Sequence, residues 1–129
     1  MTTLSFYRRV IDETGQTDRE TVKRATAAVL QTLRGRLMST EADQAGAQLP
    51  RPLKEVWRAG DHPGRKPIKM HRRAFYERVQ REAGLPTVRE ARFFTIAVFA
   101  ALKAQLSMGE ADDVLAQLPR DLKDVWEDA

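Results

Sequence analysis

The 129-residue chain has no cysteine. A disulfide framework, a thiolate zinc cluster and a thiol nucleophile are therefore excluded. Histidine is scarce, with only His62 and His71, and serine hardly less so, with Ser5, Ser39 and Ser107. A Ser-His-acid triad would have to join one of those histidines to a distant serine. A haem globin would need a proximal histidine on a late helix, and none is available. No glycine-rich phosphate loop occurs, and no Glu-x-x-His pair of the kind that holds metals in helical bundles. The longest apolar run, "FFTIAVFAAL" from Phe93 to Leu102, falls short of the roughly 20 residues a bilayer span requires. The first residues, Met1 to Ser5, lead quickly into charge, so no signal-peptide core is expected there. No segment shows the alternation and β-branched bias of a strand. The expectation is a protein with no catalytic, cofactor-binding or metal-ligating residues and no membrane partner. The absence of cysteine also fits a reducing cytoplasm, the expected location.

What is present is repetition. The stretch Ala47–Trp57, "AQLPRPLKEVW", returns at Ala116–Trp126 as "AQLPRDLKDVW". A shift of 69 residues carries Phe6-Tyr7 onto Phe75-Tyr76, Gly15 onto Gly84, Glu41-Ala42-Asp43 onto Glu110-Ala111-Asp112 and Trp57 onto Trp126. Roughly 23 identities fall in about 55 aligned positions, which marks an internal duplication. The reading is one domain over residues 1–129, built from unit one (3–60), a basic linker (61–70) and unit two (71–129). Hydrophobic residues make up 42% of the chain and charged residues 31%, an ordinary globular balance. A half of about 60 residues would be marginal alone, so a joint core is expected.

Each unit reads as four helices. Phe6, Tyr7, Val10 and Ile11 make one apolar stripe, and Gly15 stops the helix as Gly84 stops its twin. A second helix opens at a capping box, Thr17 with Glu20 and, in the other unit, Thr87 with Glu90. A short third helix follows, capped by Ser39 or Ser107, and its first turn holds Glu41 and Asp43 or Glu110 and Asp112 where the helix dipole favours acid. Glu110, Asp112 and Asp113 are read as such first-turn charges, not as metal ligands. Pro50 and Pro119 end that helix and start a fourth. Leu53, Val56 and Trp57, and their equivalents Leu122, Val125 and Trp126, bury the fourth helix. The fold class is all-α: about eight helices, two homologous four-helix units on one joint core, with globin-like packing without haem as one arrangement of it. The apolar Arg92–Ala104 segment is expected to be the central helix.

The F-Y-x-R-V opening, the glycine stop, the L-x-x-x-L helix, and above all "TEADQAGAQLPRPLKEVW" and "GEADDVLAQLPRDLKDVW" carry a resemblance. In both halves the chain resembles the bacterial and archaeal family known as domain of unknown function 2267. The resemblance implies a small all-helical cytosolic protein and supplies no catalytic residues.

Function is expected where the halves differ. Residues 1–60 hold ten basic and seven acidic side chains, residues 61–74 five and one, and residues 75–129 seven and ten. Arg65, Lys66, Lys69, Arg72 and Arg73 form a candidate anion-binding patch for nucleic acid or another polyanion. It lacks the interleaved aromatics of single-strand binders. Phe93 and Phe99, surplus to an ordinary amphipathic face, are core residues or else an interaction surface, for instance between two copies of the chain. The leading reading is a non-enzymatic protein-interaction or regulatory module with a protein partner. The alternatives are polyanion binding through the linker and an enzyme with its site in the cleft between units.

Overall fold

The computed structural model describes residues 2–62 and 64–129, so Met1 and the linker's Pro63 lie outside it. Among the described residues the chain is helical with no strand. The helices are α1 (Thr3–Thr14), α2 (Arg19–Arg36), α3 (Ser39–Ala47), α4 (Arg51–Arg58), α5 (Arg72–Ala83), α6 (Val88–Gln105), α7 (Met108–Ala116) and α8 (Arg120–Asp128). Gly15 and Gly84 end α1 and α5 with φ of 71° and 66°, a left-handed turn that a Cβ would strain. Pro50 and Pro119 stand at the N-caps of α4 and α8.

Two caps differ from expectation. Asp18, not Thr17, is the N-cap of α2, and it aligns with Thr87, whose hydroxyl accepts the Glu90 N–H at 3.1 Å. Ser107 caps α7 through the Glu110 N–H at 3.2 Å, but Ser39 is already helical and Met38 takes the cap position of α3. A methionine cannot accept that hydrogen bond, and α3 has no side-chain cap; what the two helix starts share is a glutamine that accepts the cap residue's own N–H. Gln117 Oε1 accepts the Met38 N–H at 2.8 Å, and Gln48 Oε1 accepts the Ser107 N–H at 2.8 Å. The glutamines shared by the two "AQLP" phrases thus serve each other's helix ends and tie α3 to α7.

The two 18-residue helices α2 and α6 form the centre. Helix α6 packs against α1, α2, α5, α7 and α8, as its apolar composition requires. Helix α2 is equally central, packing against α1, α4, α5 and α6 despite its many charges. It buries Ala25, Ala28, Val29, Leu30 and Leu33, and its alanines let neighbouring backbones approach. The opening helices cross between halves. Helix α1 lies mainly on α6, and α5 lies on both α2 and α6. One hydrophobic cluster consequently runs from Phe6 to Trp126, and a half-chain would leave α1 or α5 without much of its seat.

The basic linker is a strap across the C-terminal end of α2. The Ile68 N–H donates to the Gly35 carbonyl at 2.8 Å. Arg65 donates to the carbonyls of Arg34 and Leu37, both at 3.0 Å, adding a second bond to the Arg34 carbonyl, which also accepts the Leu37 N–H, and binding the Leu37 carbonyl at the helix end. Its guanidinium also pairs with Asp61, which in turn binds the buried Arg34. The Arg34 guanidinium lies over the Trp57 ring, 5.8 Å from its centroid, and bonds Asp43 at 3.0 Å. Burial acts to raise the Asp61 carboxyl, but the hydrogen bonds and charges of Arg34 and Arg65 outweigh it and hold the group below its ordinary value.

Candidate functional site

The sequence-derived anion patch divides. Arg65 is turned inward and committed to Asp61 and to the end of α2. Lys66, Lys69, Arg72 and Arg73 are exposed. The Arg72 backbone N–H donates to Asp121 at 2.9 Å, while Arg73 lies 4.0 Å from Glu77. Arg65 is thus drawn out of the patch by the helix carbonyls it satisfies. The Phe93 and Phe99 pair divides as well. Phe99 is fully buried between Phe75 and Trp126, with ring centroids 5.7 and 5.1 Å away. It lies on the inner face of α6 and cannot serve as surface. Phe93 is 45% exposed, with the Arg89 guanidinium 5.5 Å from its centroid.

The cleft beside the strap, about 240 Å³, is lined by Thr32, Arg34, Asp61, Arg65, Arg78 and Glu82 among others. Its central groups, Arg34, Asp61 and Arg65, are bound to one another. That is the chemistry of a structural clamp.

A larger groove of about 590 Å³ opens between α1 and α2. Its floor is apolar, made by Leu4, Tyr7, Ile11 and Val22, and Arg8, Arg19 and Lys23 stand around it. All three cations are exposed, and among the described residues none is in an ion pair. Leu4 is 68% exposed, and burial raises the Tyr7 hydroxyl above its ordinary value. The groove arises because α1 leans on α6 and leaves its α2-facing side partly uncovered. Sequence periodicity placed Tyr7 and Ile11 on the apolar stripe but could not show which neighbour would fall short of covering it.

A second cluster lies between α3 and α7. Glu41 and Glu110, equivalents under the 69-residue shift, meet with both side chains almost fully buried. Exposed Asp113 joins them, and one ligand oxygen from each of the three lies within 4.8 Å of the others. Asp112, grouped with Glu110 and Asp113 in the sequence, is exposed and is not among them. Glu41 Oε1 and Glu110 Oε1 are buried and find no hydrogen-bond partner. Burial, then the hydrogen bond and charge of Glu110, then the charge of Asp113, push the Glu41 carboxyl up to about 8. Sequence reasoning missed this meeting, although the 69-residue shift that pairs Glu41 with Glu110 carried a signal, and the contact of α3 with α7 brings the two together.

No curated protein matches the chain. One family model does, over residues 3–125, nearly the full length, and its description reads "Uncharacterized conserved protein (DUF2267)".

Proposed function

The chain belongs to the DUF2267 family, and from that premise, which fixes no activity, we propose that it is a protein-interaction module whose α1–α2 groove receives an acidic amphipathic helix. The observation that carries this reading is the groove itself: an apolar floor of Leu4, Tyr7, Ile11 and Val22 ringed by Arg8, Arg19 and Lys23. A helix laid in a groove needs an apolar trough for its i, i+3, i+4 and i+7 side chains. The basic rim selects acidic flanks and speeds encounter. The volume of about 590 Å³ lies within the range of roughly 300–1,000 Å³ usual for binding sites. The same reading takes residues 3–60 and 71–129 as duplicated units. In support, helices of 12, 18, 9 and 8 residues are followed by helices of 12, 18, 9 and 9. It also keeps a cytoplasmic location and a non-enzymatic role, consistent with a cleft whose central charged groups bind one another. Among the described residues no helix is long and apolar enough to cross a membrane.

The test is fluorescence anisotropy with a labelled amphipathic peptide carrying leucines at helical spacing and glutamates between them. The wild-type chain should bind it, and binding should weaken as salt rises. Leu4→Asp and the double variant Arg8→Glu/Lys23→Glu should each weaken binding about tenfold or more, consistent with loss of an anchor residue. Binding that both variants leave unchanged would refute the groove, and binding lost only on changing Lys66, Lys69, Arg72 and Arg73 would move the site to the strap.

A further inference from the structure

We propose that Glu41, Glu110 and Asp113 form a divalent-cation site of the calcium class at the α3–α7 junction. Two observations carry the proposal. One oxygen from each carboxylate falls within a 4.8 Å circle. Two of those side chains are also more than nine-tenths buried, and among the described residues no N–H or hydroxyl donor reaches Glu41 Oε1 or Glu110 Oε1; the group that Glu41 meets is Glu110, itself a carboxyl. Buried carboxylate oxygens are almost always satisfied, and an orphaned pair calls for a missing partner. The groups that act on Glu41 are Glu110 and Asp113, both acidic, with no arginine or lysine among them. Such a pair must be neutralised by a proton or by a cation. Asp113 stands at the solvent edge and gives an ion a way in.

Ligand type and spacing choose the ion. Three carboxylates with no histidine or cysteine among them make a hard oxygen site. Oxygens within 4.8 Å of one another can close on a calcium ion, which holds its ligands at about 2.3–2.6 Å in a flexible shell. Magnesium demands a near-regular octahedron and gives up its waters reluctantly, which suits a largely buried carboxylate pair less well. The N-termini of α3 and α7 oppose the cation, but each carries only about half a positive charge against three full negative ones. Solvent water would complete the shell, as three side chains fall short of the six to eight oxygens calcium takes.

The site is independent of the α1–α2 groove, so either can fail alone. The experiment is isothermal titration of chelator-treated protein with calcium chloride, and separately with magnesium chloride, at pH 8, together with thermal melts. One calcium per chain is expected, with a raised melting temperature. Glu41→Gln and Glu110→Gln, nearly isosteric and free of the buried charge, should fold and lose the calcium response at least tenfold. Asp112→Asn should keep it. Absence of calcium binding in the wild type, or equal binding in both glutamine variants, would overturn the site. A wild type whose stability follows pH but ignores calcium would show that the pair holds a proton only, and would overturn it too.

Discussion

Gly46 and Gly35 are both helical glycines, and the structure assigns them opposite fates on substitution by alanine. A Cβ built on Gly46 would stand 2.8 Å from Cδ1 and 2.9 Å from Nε1 of Trp57. The indole cannot move aside easily. It is 1% exposed, its Nε1–H donates to the Ala42 carbonyl at 2.9 Å, and Arg34 lies over it. Overpacking a filled core costs about 1–3 kcal/mol. Displacing the indole far enough to break its hydrogen bond adds about 1 kcal/mol. Alanine's better helix propensity returns about 0.8–1 kcal/mol. The net expectation for Gly46→Ala is a loss of about 1–3 kcal/mol. At Gly35 the nearest atom is Ile68 Cδ1 at 3.6 Å, an ordinary contact. Gly35→Ala should therefore gain about 0.5 kcal/mol, less than a mid-helix site because it lies near the end of α2. For a chain this size 1 kcal/mol moves the melting temperature by about 3–5 °C. Urea and thermal unfolding followed by circular dichroism, with tryptophan fluorescence reporting the Trp57 environment, would separate the two. If Gly46→Ala proved as stable as Gly35→Ala with an unchanged emission spectrum, the tight Gly46–Trp57 contact, and the packing of α3 on α4 inferred from it, would be wrong.

Other substitutions discriminate between faces and protonation states. Phe99→Ala should cost about 3–5 kcal/mol by leaving a hole between Phe75 and Trp126, whereas Phe93→Ala should change denaturant stability by no more than about 1 kcal/mol, the Arg89 contact included. In chelator, the Glu41–Glu110 pair sets a slope of stability against pH. The folded chain raises the Glu41 carboxyl from 4.5 to about 8, so it binds that proton more tightly than the unfolded chain. Its contribution is fully present below about 4.5 and is lost as pH rises through 8. Denaturation midpoints between pH 5 and 9 should fall with pH in the wild type and much less in Glu41→Gln; equal slopes would refute the raised Glu41 carboxyl. Below that window Asp61 acts in the opposite sense, because its depressed value contributes stability that is lost as pH falls through it.

Much of the architecture was legible because it is written in spacing. Helix periodicity, two glycine stops and two prolines marked the eight helices, and apolar residues all round α6 marked a buried helix. The caps were harder. Sequence favoured Thr17 and Ser39 as hydroxyl residues, but Asp18 holds the first cap position and Met38 the second, where the Gln117 side chain, 79 residues away, accepts the Met38 N–H. Capping statistics describe local partners, and tertiary packing can bring a distant one. The same limit explains Arg65. As one of five linker cations it read as solvent-facing, yet the carbonyls of Arg34 and Leu37 at the end of α2 and the carboxylate of Asp61 hold it inward.

The site residues that escaped the sequence share one geometric cause. Where α3 packs on α7, residues that a 69-residue shift pairs in the sequence come together. Apolar pairs then strengthen the core, but a like-charged pair is forced together whatever its local propensity. Glu41 and Glu110 are each well placed in a helix first turn when considered alone. Only the contact of α3 with α7 turns two favourable positions into one unfavourable pair. The reciprocal glutamines Gln48 and Gln117 show that the α3–α7 junction is otherwise well satisfied, so the pair is not the residue of poor packing. Replacing either glutamate by glutamine would relieve the repulsion, and Glu41→Gln in chelator should therefore be at least as stable as the wild type at pH 8. That is the reverse of what removal of an ordinary helix first-turn acid would give.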